Sequence, residues 1–134
     1  MKLPSFWTSM PYVLGVVFCA TGTLHVVQTS AFTQIVPPAL PNPVLLVQIS
    51  GVAEICGGVG MLVPALRRVA GIGLIALLLA VFPANVYMAV DAARFAAVGP
   101  AWVFWLRLPL QFLLIWFVVR SALMPHRPEA NSPH

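Results

Sequence analysis

The sequence predicts an all-α, integral membrane four-helix bundle, and two observations carry this prediction. Hydrophobic residues make up 60% of the 134 residues and charged residues only 7%, whereas a soluble domain carries about 25% charged residues. The apolar residues are gathered into four runs of about 20 residues, the length at which a helix crosses the ~30 Å hydrocarbon core of a bilayer. The composition therefore excludes an ordinary soluble enzyme, and it excludes intrinsic disorder, which requires low hydrophobicity.

The four runs are expected to be transmembrane helices at about 8–28, 44–64, 69–90 and 101–122. They lack the alternation of a strand, and backbone groups in lipid must be hydrogen-bonded within their own segment, as in a helix. The first run is too long for a signal peptide and has no clear cleavage site before a soluble domain, so we expect it to be retained. Residues 1–124 then form a single domain, and the polar tail at 125–134 is expected to be disordered.

The charged residues predict the orientation of the bundle in the membrane. With four spans, both termini and the connection between the second and third spans share one side. That side carries most of the basic residues: Lys2, Arg67, Arg68, Arg120 and Arg127. The opposite side carries Arg94 beside Asp91. Because cytoplasmic segments are enriched in Lys and Arg, both termini are expected in the cytoplasm. The net charge of +4 does not form a clustered basic face, so no nucleic-acid partner is expected.

The connection between the first two spans, residues 29–43, is expected to be a stiff external segment. Prolines fix the backbone and remove N–H donors. This segment carries four of them within seven positions: Pro37, Pro38, Pro41 and Pro43. The segment is apolar for a loop, which favours a position against the membrane surface.

Five polar residues inside the predicted spans form the candidate ligand-binding site: His25, Glu54, Asn85, Arg107 and Gln111. An ionisable group at mid-membrane costs at least about 2.5–3.5 kcal/mol, so such groups need partners and mark candidate functional sites. At 1.5 Å per residue, all five are expected in the outer half, at depths of about 5–15 Å. Each helix supplies one or two of them, so we expect one shared cluster.

Helical spacing supports this cluster. Arg107 and Gln111 are four residues apart and share one face of the fourth span. Gly51, Glu54 and Gly58 form one stripe on the second span, where the small residues permit close approach of another helix.

Two prolines within the spans are expected to free backbone carbonyls near these polar residues. Pro83 removes the donor for the carbonyl of Leu79, and Pro109 removes the donor for the carbonyl of Trp105. Carbonyls freed at membrane depth need polar neighbours.

The two cysteines are expected to be apolar fillers and not a redox pair. At 100° per residue, Cys56 lies about 200° around its helix from Glu54, so it points away from the predicted cluster. The sequence contains no cysteine-pair motif, and the histidines outside the spans lie in the tail. No metal site is therefore predicted.

Three interpretations of the polar cluster stay open at this stage. A Glu54–Arg107 ion pair would hold the bundle together in a purely structural role. Alternatively, the cluster lines a pocket for a small or lipid-soluble ligand, open to the outer side. In the third interpretation, Glu54 or His25 transfers protons in catalysis, which requires shifted pKa values that a sequence cannot show.

Five sequence motifs carry a resemblance to a known family: GTLH at 22–25, IVPPALP at 35–41, SGVAEICGG at 50–58, VFPANVYMA at 81–89 and LRLPLQ at 106–111. They resemble the corresponding segments of the DoxX-like family of small four-helix membrane proteins, over about residues 12–119. The motifs include the same five polar residues.

Relatives in the DoxX-like family include a small subunit of a thiosulfate:quinone oxidoreductase and a membrane partner in an oxidant-defence complex. The resemblance implies an accessory or ligand-binding subunit of the bacterial cytoplasmic (inner) membrane, with no intrinsic cofactor, a bound quinone and an oxidoreductase partner subunit. A small enzyme that transfers protons on a lipid-soluble substrate and a structural or transport component are the alternatives. Ala53 and Gly57 form a small-x-x-x-small pattern that suits packing within the bundle or a homo-oligomer.

Overall fold

The computed structural model describes residues 5–124, and this part of the chain is all-helical. Its α-helices are α1 (Phe6–Val27), α2 (Thr29–Thr33), α3 (Pro43–Leu62), α4 (Arg67–Val90) and α5 (Ala101–Val118). Short 3-10 turns occupy Pro64–Leu66 and Ala92–Phe95, and a π-helical turn, Val119–Leu123, extends α5. All but α2 belong to segments long and apolar enough to cross a membrane. The prediction of an all-α chain with four long apolar helices is thus confirmed.

The helix bounds differ from the predicted ones mainly at the ends and in the first connection. Residues 29–43 were expected to be a stiff external segment, and within it residues 29–33 form the short helix α2. Asn42 adopts a left-handed conformation (φ 48°) immediately before Pro43. Asn tolerates that conformation, and Pro is favoured in the first turn of a helix because its missing N–H has no intrahelical partner there. The polar tail at 125–134 lies outside the described residues.

Two reciprocal glycine pairs bring the backbones of α1 and α3 into direct contact. A Cβ atom on Gly22 would lie 2.7 Å from the carbonyl oxygen of Gly51, and one on Gly58 would lie 2.7 Å from that of Gly15. On each helix the two glycines are seven residues apart and therefore share a face. The antiparallel pair α1–α3 is accordingly built on this contact, and the predicted small-residue stripe on α3 faces α1.

The two residues of the small-x-x-x-small pattern on α3, Ala53 and Gly57, lie in different surroundings. Gly57 faces α4, where an added Cβ would clash with the side chain of Leu74. Ala53 is exposed on the outside of the bundle. Gly57 therefore serves packing within the bundle.

Two apolar clusters fill opposite ends of the bundle. The terminal cluster, at the end that holds the start of α1 and the α3–α4 turn, consists of Leu14, Phe18, Met61, Leu74 and Val118. The loop cluster, at the other end, consists of Ile35, Met88, Ala89, Phe95 and Phe104. Ile35 belongs to the connection between α2 and α3, so this connection is fixed to the ends of α4 and α5. Between the two clusters, the space enclosed by the helices is not filled by side chains.

Cation–π contacts lie at the terminal end. The Arg67 guanidinium lies 4.6 Å from the ring centroid of Tyr12, and that of Arg120 lies 5.1 Å from the ring of Trp7. Arg94 lies at the opposite end, just after α4. Three of the five described arginines, Arg67, Arg68 and Arg120, thus lie at the terminal end of the bundle.

Candidate functional site

A cavity of about 750 Å³ lies between the two apolar clusters. Phe18, together with Leu78 and Leu114 packed against the terminal cluster, lines it at one end. Phe32 and Ile35 line it at the other end. Residues of the α2–α3 connection, including Ile35, Val36, Pro37 and Leu40, line the cavity at the end away from the terminal cluster.

All the polar residues that the sequence singled out line this one cavity: His25, Glu54, Asn85, Arg107 and Gln111. They come from four different helices, α1, α3, α4 and α5. The fold therefore brings the predicted cluster together. Its role in ligand binding stays a prediction.

On the α1–α3 wall, Glu54 is bonded to two side chains of α1. Its Oε1 accepts a hydrogen bond from Thr21 Oγ1, and its Oε2 lies 3.1 Å from His25 Nδ1. The Glu54 side chain is only 13% exposed, so these partners replace much of its hydration. Thr21 was not predicted. Its signal in the sequence was its position four residues before His25, on the same helical face.

The His25 ring is held in place by the short helix α2. Its centroid lies 4.1 Å from that of Phe32, at an interplanar angle of 37°. Phe32 was missed because residues 29–33 carry no periodic apolar pattern. The contact links the α1–α3 wall to the connection that covers the cavity.

On the α4–α5 wall, Gln111 joins two helices through a chain of hydrogen bonds. Its Nε2 donates to the carbonyl of Leu78, and its Oε1 accepts from Asn85 Nδ2 at 2.5 Å. Gln111 is 6% exposed. The sequence predicted that the carbonyl of Leu79, which Pro83 leaves without a donor, needs a polar neighbour. The carbonyl that Gln111 bonds is instead that of Leu78. Helix α4 continues unbroken through Pro83.

Arg107 also lines the cavity, but the ion pair considered in the structural interpretation is not formed. The Glu54 carboxylate is bonded to Thr21 and His25, and no described carboxylate lies within 4 Å of Arg107. The hydrogen bond of Arg107 runs from Nη1 to Met88 Sδ at 3.6 Å. A thioether is a weak acceptor and a guanidinium has five N–H donors, so most of its hydrogen-bonding capacity is left for another group.

The cysteines lie apart from this arrangement of polar groups. Both thiols are free; Cys56 is exposed, and Cys19 Sγ lies 3.8 Å from the carbonyl oxygen of Ile55. Among residues 5–124, no group of three or more His, Cys, Asp or Glu side chains is placed to hold a metal ion.

Comparison with known proteins gives one family. Searches of curated proteins and of solved structures found no match. A family model described as a domain of unknown function (DUF8561) matches residues 14–122. This range includes α3, α4 and α5, most of α1 and all five predicted cavity residues. The chain therefore belongs to the DUF8561 family.

Proposed function

We propose that this protein is an integral membrane subunit that binds a lipophilic ligand in the cavity, with the polar end of the ligand against Arg107. The observation that carries the proposal is a guanidinium that lines an apolar cavity without a carboxylate partner among the described residues. An intramembrane charge is costly unless it is paired. A carbonyl or anionic group of a bound amphiphile supplies the missing acceptor.

The membrane location rests on the helix surfaces. Large apolar side chains face outward on every long helix; Val27 and Val69 are each 74% exposed, and Trp102 is 66% exposed. Such surfaces suit lipid, not water. The concentration of basic residues at the terminal end favours a cytoplasmic position for both termini. The resemblance to DoxX-like proteins favours the bacterial cytoplasmic membrane as the location.

The cavity has the properties of a small-molecule site. Its volume of about 750 Å³ falls within the range of about 300–1,000 Å³ that is typical of ligand pockets. Its lining is mostly Leu, Val, Ile and Ala, with polar groups on two different walls. A quinone combines an apolar tail with carbonyl acceptors and fits this description. The resemblance to DoxX-like proteins also favours a quinone and an oxidoreductase subunit as partner.

The test is an inventory of bound molecules in the wild type, Arg107→Ala and Arg68→Ala. Each protein is purified in mild detergent and extracted, and its amphiphiles are quantified by mass spectrometry. A hydrogen bond to a charged group contributes about 1.5–3 kcal/mol, so we expect Arg107→Ala to retain at least about tenfold less of a molecule that is stoichiometric in the wild type. Arg68→Ala, an exposed arginine at the terminal end, is the matched control and should retain it fully.

Two results would contradict the proposal. One is a wild type that carries no amphiphile beyond bulk lipid. The other is equal retention of the molecule by Arg107→Ala and Arg68→Ala.

A second candidate function is proton transfer on a lipid-soluble substrate. It is favoured by one observation, the pairing of His25 with Glu54 at the cavity wall. A carboxylate that orients an imidazole is a common arrangement in general acid–base catalysis. A pair of extracted molecules that differ only in the position of a proton or double bond would favour this enzyme over the binding subunit.

A further inference from the structure

Two hydrogen-bond chains line the cavity, and each ends on a backbone carbonyl. A carbonyl oxygen only accepts hydrogen bonds, so the group that faces it must be a donor. This fixes which atom of each side chain donates and, for the amide side chains, which atom is left to accept. The polarity of both chains therefore follows from the fold.

The first chain runs through His25. Its Nδ1 lies 2.8 Å from the carbonyl oxygen of Thr21 and 3.1 Å from Glu54 Oε2. Because both partners are acceptors, Nδ1 carries a hydrogen, whereas Nε2 accepts in the neutral ring and donates in the imidazolium. Nε2 makes no hydrogen bond to any residue in the range 5–124. The geometry therefore fixes Nδ1 as a donor and leaves Nε2 free to bond a ligand in either sense.

The second chain runs through Gln111 to Asn85. Gln111 must direct its NH₂ group at the Leu78 carbonyl, which leaves its Oε1 to face Asn85. Asn85 must then donate through Nδ2, and its Oδ1 has no hydrogen-bond partner within the described chain. Asn85 therefore offers the cavity an acceptor, whereas Arg107 offers donors.

We propose that the ligand carries a hydroxyl or N–H donor for Asn85 Oδ1, together with an oxygen that accepts from Arg107. This inference rests on the proposed function and narrows its ligand class. A quinone ring presents only acceptors, so it would leave the Asn85 oxygen unpaired. The hydroquinone form presents hydroxyl groups that donate and whose oxygens also accept. For a quinone-type ligand, the cavity therefore selects the reduced form.

The test compares two probes of nearly equal size, 2-decylhydroquinone and 2-decyl-1,4-benzoquinone. Binding to delipidated wild-type protein in detergent is measured by calorimetry under anaerobic conditions. Each satisfied hydrogen bond is worth about 1 kcal/mol, and an unpaired buried acceptor costs more. We expect the hydroquinone to bind at least about tenfold more tightly than the quinone.

The variant Asn85→Leu removes this acceptor and should bring the ratio of the two affinities close to one. Gln48→Leu is the matched control, since Gln48 is an exposed amide that does not line the cavity, and it should leave the ratio unchanged. If Asn85→Leu does not fold, the ratio of the affinities of the wild type for the two probes still tests the inference.

Equal binding of the two probes, or tighter binding of the quinone, would overturn this inference and leave the proposed ligand pocket standing. Failure of both probes to bind, together with an empty ligand inventory, would overturn the proposed function as well.

Discussion

Replacement of Gly58 with Ala is expected to lower the free energy of unfolding by about 3 kcal/mol, the upper part of the range for overpacked cores. The added Cβ would lie 2.7 Å from the Gly15 carbonyl oxygen and 2.8 Å from the Cys19 amide nitrogen. Both are backbone atoms of α1, so no side-chain rotation relieves the clash and the two helices must separate. The measurement is SDS-induced unfolding in mixed micelles, followed by far-UV circular dichroism.

Gly73→Ala is the matched control for this prediction. Gly73 also lies within a long helix, but an added Cβ there would meet nothing within 4 Å. Because Ala has the higher helix propensity, Gly73→Ala should be neutral or more stable by up to about 1 kcal/mol. If Gly58→Ala were as stable as Gly73→Ala, α1 and α3 would not pack through these glycines.

Removal of His25 is expected to destabilise the protein more than neutralisation of its partner Glu54. His25→Leu leaves the largely buried Glu54 carboxylate with Thr21 as its remaining bonded partner. Removal of one member of a buried pair costs about 3 kcal/mol. Glu54→Gln removes the charge and keeps an oxygen that accepts from Thr21, so it should cost about 1 kcal/mol or less. The same SDS unfolding measurement compares the two variants.

The double variant provides the control for this asymmetry. When Glu54 is already Gln, no carboxylate is left unpaired, so adding His25→Leu should cost only about 1 kcal/mol. Additive effects in the double variant would mean that His25 and Glu54 do not interact, contrary to the 3.1 Å contact between Nδ1 and Oε2.

The positions of the long helices and the membership of the polar cluster could be predicted from the sequence. Long apolar runs leave few places for polar side chains, and residues such as Asn85 and Gln111 avoid lipid by facing the interior of the bundle. The pairing within the cluster could not be predicted in this way. It depends on the rotation of α1 against α3, which the Gly22–Gly51 contact sets, and that rotation directs Glu54 to α1 and away from Arg107.

The part of the site that the first connection contributes could not be predicted from the sequence either. Helix α2 has only five residues, too few to show a periodic pattern. Local side-chain bonds accompany it, including one from Thr29 Oγ1 to the carbonyl of His25 at 3.0 Å. The stacking of Phe32 on His25 is a tertiary contact that follows from this local turn and has no counterpart in sequence spacing.

The most direct test of the central claim, that the cavity holds a lipophilic ligand, is native mass spectrometry of a cavity-filling variant. Ala84 lines the cavity and Ala76 of the same helix is exposed outside it, so Ala84→Phe and Ala76→Phe form a matched pair. The account predicts a bound molecule of defined mass on the wild type and on Ala76→Phe, and its loss from Ala84→Phe. A wild type without such a molecule, or an Ala84→Phe variant that still carries it, would contradict the account.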